Sequence, residues 1–334
     1  MKFGGKVLVL TVDFSQCLPV MTKKKRKDIL EAVLPNHKFW DSFCTLTLDR
    51  NVRLSNAQNE YGDWILKIGD GSANIPGTNR LQVPAEFVVE SQKDLLEFVF
   101  GDASAVPKAD CAVLCPVNAT ANDLGEVVTD RVRGAERIYF SNTFQEQQGQ
   151  AVEGAIVDLP PAFLNSLVSS VLPAHRLRVG CIIMLMRSLV LRDGLCNGTR
   201  LRVQMLLEKT IICEVLEGKL KGERVALIRT KLSSDEFGLD GVVSRKQFPV
   251  RNGSVMTINR SQGHTLARCG LYLSCPTFAH GQTYVAFSRV KSKDDIKVFI
   301  ERGALQGFRT IQATGEKIHF TANEVYREIV EKCT

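Results

Sequence analysis

Short runs of almost uninterrupted apolar residues, set between segments of helical periodicity, constrain this chain more than any other feature. Val7 to Val12, Cys111–Leu114, Val255–Ile258, Cys269–Leu273 and Ile296–Ile300 carry few polar residues. A strand with one wet face alternates in polarity, whereas a strand covered on both faces reads as a continuous apolar stretch. These runs therefore predict parallel strands, including one over Lys6–Val12, with a further strand at Thr45–Leu48. Between them, Tyr61, Trp64, Ile65 and Ile68 recur at i, i+3, i+4 and i+7 and predict an amphipathic helix. Gly69-Asp70-Gly71 ends it. Helices are also expected over Lys23–Val33, over a segment with Leu124, Val127 and Val128 facing inward, over Gly281–Arg289, and around Val325, Ile329 and Val330. Strand–helix alternation of this kind indicates an α/β sheet domain.

The texture changes between residues 179 and 250. Val179–Leu185, Arg200–Leu206, Thr210–Leu216, Val225–Arg229 and Gln247–Val250 are short apolar runs split by turn signals. Asn197-Gly198 is a strong hairpin signal, and Lys219–Gly222 suits a second turn. The pattern predicts a small β-barrel inserted into the α/β domain.

Composition narrows the class. The 334 residues suffice for two or three domains, and the 44% apolar and 24% charged fractions exclude disordered and fibrous chains. A net charge of +7 permits nucleic-acid binding without establishing it. The ten cysteines include no CxxC pair, so a zinc site is not expected. Cys111 and Cys115 read as buried free thiols, in keeping with a reducing compartment. No apolar run approaches the roughly 20 residues that span a bilayer. The stretch after Lys6 is too short for a signal peptide, and Asp13 follows it without a small-residue cleavage site.

Two blocks carry the chemistry. Thr257-Ile258-Asn259-Arg260-Ser261-Gln262-Gly263-His264-Thr265-Leu266 opens apolar and ends in hydroxyl, amide and guanidinium groups around a glycine. Glycine there permits a strained turn or a close approach of backbone to phosphate. The same run also reads as an ordinary polar strand-to-helix connection. The second block, Tyr284-Val285-Ala286-Phe287-Ser288-Arg289, is an apolar helix that delivers one arginine. An arginine at a helix C-terminus commonly complements the macrodipole. The functional alternative is an arginine finger, a device worth about 10³–10⁵ in rate. Lys23-Lys24-Lys25-Arg26-Lys27 reads as a localisation signal, a nucleic-acid contact or a solvated loop.

Together these blocks resemble motifs V and VI of the Pif-type (petite integration frequency) superfamily 1B DNA helicases, including those of Helitron transposons. Residues 172–189, 194–201, 222–229 and 245–259 resemble that family's second RecA-like domain and its barrel insertion. Residues 4–20 resemble motif III, and residues 48–54 resemble motif IV. The resemblance runs over nearly the whole chain in the right order. It implies a RecA-like (P-loop NTPase-type) α/β fold with three parts. Residues 1–55 would be the tail of a first RecA-like domain. Residues 56–178 and 251–334 would form the second, and residues 179–250 the small β-barrel.

The resemblance also assigns roles. Gln16, Arg53 and Arg289 would be catalytic, with Gln16 sensing the γ-phosphate and both arginines reaching the nucleotide. Gln262 and Gly263 would line the ATP cleft. Thr257, Asn259, Arg260 and His264 would face single-stranded DNA. His280 falls where the family also places histidine, although a lone histidine before a helix also reads as a cap or surface residue. ATP and Mg²⁺ would be the cofactors and single-stranded DNA the partner. The protein would be monomeric, free of membranes, and nuclear, with the mitochondrion as the alternative.

The chain departs from the family pattern in two respects. In motif III, Thr11-Val12-Asp13 and Ser15 stand where the family has Gly-Asp and an arginine. More important, no G-x-x-x-x-G-K-[ST] occurs, and the acidic pair expected upstream of motif III is missing. Gly4-Gly5-Lys6 precedes a predicted strand and cannot serve as the phosphate loop. The expectation is thus a truncated 5′-to-3′ DNA helicase that does not hydrolyse ATP alone. A non-catalytic single-stranded-DNA-binding relic is the alternative, and a RecD-like subunit of a nuclease–helicase is more distant.

Overall fold

Cys111–Cys115 is buried along its whole length and pairs in parallel with Val255–Thr257, Val113 lying opposite Val255. The computed structural model that shows this describes residues 2–18, 25–46, 54, 59–102, 107–140, 142–145, 175–189, 194–232, 243–312 and 314–332. It divides into two units, Leu96–Arg260 and Met1–Leu95 with Ser261–Thr334.

In the Leu96–Arg260 unit, the helix Asn118–Arg131 packs on this parallel pair through Ala121, Leu124, Gly125, Val128 and Thr129. Val127, expected to face inward, is 41% exposed. The reason is geometric, since at about 100° per residue it falls well outside the stripe centred between Leu124 and Gly125. Cys111 and Cys115 are buried free cysteines, as expected.

A five-stranded antiparallel sheet makes up much of the same unit. Its spatial order is Val250–Asn252, Ile182–Leu185, Arg200–Leu206, Thr210–Val215, Arg224–Ile228. Ile211, Cys213 and Val215 alternate inward against Leu201, Val203, Leu227, Phe248 and Val250. The Lys219–Gly222 turn closes as read, with the Gly222 N–H donating to the Val215 carbonyl (2.7 Å). Asn197-Gly198 does not make a two-residue hairpin. The Gly198 N–H donates to the Leu185 carbonyl (2.8 Å), so the turn ends a wider connection between two strands. Glu136–Tyr139 pairs with His175–Arg178, and Val243–Gln247 lies between Thr230–Leu232 and Asn142–Gln145. Neither arrangement is legible in the sequence pattern.

Arg200, only 1% exposed, ties this sheet to the parallel pair. Its Nε donates to the Gly253 carbonyl (3.0 Å), Nη2 to the Cys111 carbonyl (2.8 Å) and Nη1 to the Ala109 carbonyl. His175 is also buried, with Nε2 against the Phe248 carbonyl (3.0 Å), and burial pulls its pKa down to about 4. An unfolded histidine titrates near 6.5, so the unfolded chain binds more protons between those values. The stabilisation is complete above about pH 6.5 and is lost as pH falls towards about 4, a difference of about 3 kcal/mol. Chemical denaturation at pH 7 and pH 4.5 should show this loss. His175→Gln, which keeps a donor for Phe248, should flatten that part of the profile.

In the other unit, Arg268–Leu273 and Ile296–Ile300 form a second parallel pair, with Cys269 opposite Ile296. The helix Asn59–Asp70 buries Tyr61, Ile65 and Ile68 and ends at Gly71 with φ +79°. It packs on the helix Gln282–Phe287. The Tyr61 hydroxyl donates to the Phe287 carbonyl (2.8 Å), and Trp64 meets the Phe287 ring edge-on at 4.9 Å. An antiparallel sheet ordered Arg80–Val83, Lys317–Ala322, Gly307–Thr310 completes the unit and was not anticipated. The closing helix is short, Arg327–Val330, with Ile329 buried.

The expected core strand over Lys6–Val12 does not form. Its residues adopt no regular structure, and Val7 and Val9 are 93% and 79% exposed. A parallel strand is stable only beside a neighbour, and none pairs with this segment among the described residues. Thr45 and Leu46 are likewise irregular, and the remainder of that expected strand lies outside the described residues.

Candidate functional site

The strand Val255–Thr257 runs into a 3₁₀ turn, Ile258–Ser261, and the chain then reverses at Gly263. Gly263 has φ +84° and open space where a Cβ would stand, so it is the backbone conformation that calls for glycine. Thr257 is buried, and Asn259 and Arg260 are half-buried. Burial holds the Arg260 guanidinium below its ordinary pKa.

Arg289, just beyond the helix Gln282–Phe287, is 1% exposed. Its Nε donates back to the Val285 carbonyl (2.7 Å), and Nη2 donates to the Ser288 hydroxyl (2.7 Å). Nη1 donates to the carbonyls of Ser261 (3.1 Å) and His264 (3.3 Å). The Leu266 N–H returns a bond to the Arg289 carbonyl (2.8 Å). The arginine read as a finger is thus turned inward, lacing the Ser261–Leu266 loop to the helix end.

Gln16 lies in a turn organised by Asp13, whose carboxylate accepts from the Ser15 N–H (3.1 Å), Gln16 Nε2 (2.8 Å) and the Tyr284 hydroxyl (3.2 Å). These bonds leave Gln16 Oε1 directed at Gln262. Gln262 Nε2 is 3.3 Å from the Cys17 carbonyl and 3.5 Å from Gln16 Oε1. Cys17 is buried enough to push its thiol up to about 12, with Arg289 nearby opposing the rise. Gln16, Gln262 and Arg289, named from three separate blocks of sequence, therefore gather in one place.

Two residues hold the Gln16 turn from the other side. Gly281 has φ +74°, and a Cβ on it would stand 2.4 Å from the Ser15 carbonyl oxygen and 2.5 Å from the Gln16 carbonyl carbon. His280 is 2% exposed and hence not a surface residue, and the N-cap position of Gln282–Phe287 is taken by Gly281. Its Nδ1 accepts from the Tyr326 N–H (2.9 Å), which makes Nε2 the donor to the Phe14 carbonyl (2.7 Å). Burial lowers its pKa, favouring the neutral ring that this pairing uses. Tyr326 stacks on the imidazole at 5.2 Å, and Arg26 lies 4.5 Å above the tyrosine while bridging both Glu328 oxygens (2.7 and 2.9 Å).

The other expectations fare differently. Arg53, Lys23 and Lys24 lie outside the described residues. Of the rest of the basic run, Arg26 is bound to Glu328 and Lys27 lies 3.9 Å from Glu31. Sequence reasoning missed the anchoring roles of Asp13, Gly281, Tyr284 and Tyr326. The Asp13-x-x-Gln16 spacing, suited to a side-chain-closed turn, was the one available signal. Among the described residues, no group of three or more His, Cys, Asp and Glu side chains is placed to hold a metal. The sequence carries no G-x-x-x-x-G-K-[ST] phosphate loop.

A family model described as PIF1-like helicase matches residues 1–79, and one described as DNA helicase Pif1, 2B domain, matches residues 162–206. The chain is 27% identical over 186 residues to the ATP-dependent DNA helicase PIF6 of Trypanosoma brucei brucei, covering 53% of this chain and 22% of that protein. It is 30% identical over 166 residues to human ATP-dependent DNA helicase PIF1, covering 46% and 24% respectively. Among solved structures, it resembles a Bacteroides Pif1 bound to single-stranded DNA with TM-score 0.59 and 20% identity, over 89% of this chain and 62% of that one. It resembles a Candida albicans Pif1 helicase with TM-score 0.57 and 18% identity, over 87% and 63%. The chain therefore spans about a quarter or less of the curated relatives it matches.

Proposed function

The chain is related to the Pif1-like DNA helicases, and on that premise we propose that it supplies the DNA-binding and second RecA-like portion of an ATP-driven, 5′-to-3′ DNA-unwinding activity. In this reading residues 1–55 are the C-terminal tail of the first RecA-like domain, residues 56–178 and 251–334 the second, and residues 179–250 the small β-barrel. Thr257, Asn259, Arg260 and His264 face single-stranded DNA in this reading, and a nuclear address goes with it. The observation that carries it is the gathering of Gln16, Gln262 and Arg289, residues to which the family resemblance gave roles around one nucleotide. The bound single-stranded DNA of the Bacteroides relative supports the choice of partner.

This sequence contains no G-x-x-x-x-G-K-[ST] loop of the kind that holds the phosphates of ATP. The expected result is therefore no ATP turnover by this chain, with or without single-stranded DNA, together with binding of an oligothymidylate. Log affinity should fall with log salt by about 0.7 for each phosphate contacted, because each contact releases counterions. A steady-state ATPase assay and a salt titration of binding check both parts. DNA-stimulated turnover would refute the first, and a flat salt response the second. The missing phosphate loop also favours a second reading, a single-stranded-DNA-binding protein without catalysis, in which binding is indifferent to ATP.

A further inference from the structure

Arg251 stands on the strand Val250–Asn252, opposite Met184 of the neighbouring strand. Its Nε and Nη1 are buried and have no hydrogen-bond partner among the described residues. Buried guanidinium nitrogens are ordinarily satisfied, because desolvating a charge without a partner is costly. Here the neighbours make the position worse. Burial and the like charge of Arg260 together pull the Arg251 pKa down to about 10, which still leaves it cationic at pH 7. No carboxylate contributes to the resolved shift of either arginine. His175, which also feels the Arg251 charge, is neutral at that pH.

The backbone between the two arginines is tied down at one corner. The strand bearing Arg251 reaches the strand before the Arg260 turn through Asn252-Gly253-Ser254. Asn252 Nδ2 donates to the Gly125 carbonyl (3.0 Å) and lies 3.1 Å from the Thr129 hydroxyl. Its Oδ1 accepts from the Ser254 and Val255 N–H groups, both at 2.9 Å. A Cβ on Gly253 would lie 2.8 Å from the Ile183 carbonyl carbon, and the Gly253 carbonyl accepts from buried Arg200 (3.0 Å). This corner fixes the backbone between the strand that carries Arg251 and the turn that carries Arg260, within one unit. The cost of burying the Arg251 charge is recovered when an anion arrives, and guanidinium groups match phosphate oxygens in fork geometry.

We propose that Arg251 and Arg260 form a two-guanidinium site for a phosphate group, occupied by a phosphodiester of single-stranded nucleic acid. The choice of nucleic acid as the source rests on the function proposed above. The site itself rests on the orphaned Arg251 donors and the clamped corner.

The test uses the full chain, a fluorescein-labelled oligothymidylate, and Arg251→Met. Methionine fills similar space without charge, so the variant should be at least as resistant to denaturant as the parent while binding about tenfold more weakly. Its salt dependence should be shallower by about 0.7, the loss of one phosphate contact. A second arm measures the thermal midpoint in inorganic phosphate against chloride at matched ionic strength, where the parent should gain and Arg251→Met should not. Unchanged oligonucleotide affinity and salt slope in Arg251→Met, with no Arg251-dependent phosphate effect, overturns the site while leaving the nucleic-acid reading intact. A phosphate effect that depends on Arg251, in a parent that does not bind the oligonucleotide, supports the site and removes the nucleic-acid reading. Should Arg251→Met fail to fold, Arg251→Lys keeps the charge and loses the fork. Binding severalfold weaker than the parent then supports the site, and binding equal to the parent overturns it.

Discussion

Arg289→Ala is expected to destabilise the unit that carries it by about 3–5 kcal/mol, rather than leave a folded protein lacking one contact. The side chain is 1% exposed and donates to the carbonyls of Val285, Ser261 and His264 and to the Ser288 hydroxyl. Truncation strands these acceptors, each costing about 1–3 kcal/mol when left buried and unpaired, and leaves a cavity besides. Urea unfolding of the parent, Arg289→Ala and Arg289→Lys would measure it. Lysine keeps the charge and part of the bonding and should fall between the other two. An alanine variant with the parent's midpoint would sink the assignment. The result bears on how a finger here can be tested. Lost activity in Arg289→Ala reports the latch as much as any nucleotide contact, so the lysine variant is the informative one. If Arg289 does reach a nucleotide, it must first release four hydrogen bonds, and only a ligand that favours the released state can compensate for them.

Gly281→Ala should be nearly as damaging, by about 4 kcal/mol, combining the left-handed backbone penalty with overpacking against main chain. The added Cβ would stand 2.4 Å from the Ser15 carbonyl oxygen and 2.5 Å from the Gln16 carbonyl carbon. Neither atom is the end of a flexible side chain, so either the Gln16 turn moves or the helix start does. Cys17 provides the reporter, because its thiol is held up to about 12 by burial beside that turn. In the parent it should react slowly with iodoacetamide at pH 8. In Gly281→Ala the turn is displaced, the thiol regains solvent, and alkylation at Cys17 should accelerate, as located by peptide mapping. Protection equal to the parent's would show that the close approach does not matter.

How much of this was legible beforehand depended on where each residue finds its partner. Ile296–Ile300 and the helix over Asn59–Asp70 were readable because their patterns are local and their apolar faces continuous. The sheet joining Arg80–Val83 to Lys317–Ala322 was not, since its strands carry mixed polarity and pair across most of the chain. Among the site residues, the family resemblance could group Gln16, Gln262 and Arg289 but could not orient them. Whether Arg289 points outward or inward is decided by the carbonyls of Ser261 and His264. Whether His280 is a cap or a brace is decided by Phe14 and Tyr326. Arg251 passed unnoticed because an arginine on a short strand is unremarkable until its nitrogens prove to be buried.

The apolar segment Val7–Val12 has a consequence in the time domain. Val7, Leu8, Val9, Leu10 and Val12 are all at least 41% exposed, and no strand among the described residues pairs with the segment. Open backbone donors and acceptors bordered by such side chains are a template for strand addition. Filling that template from another molecule is a second-order event, whereas filling it from a tethered segment is first-order and independent of concentration. Association through this segment is therefore expected to rise with protein concentration, which sedimentation at two concentrations would show.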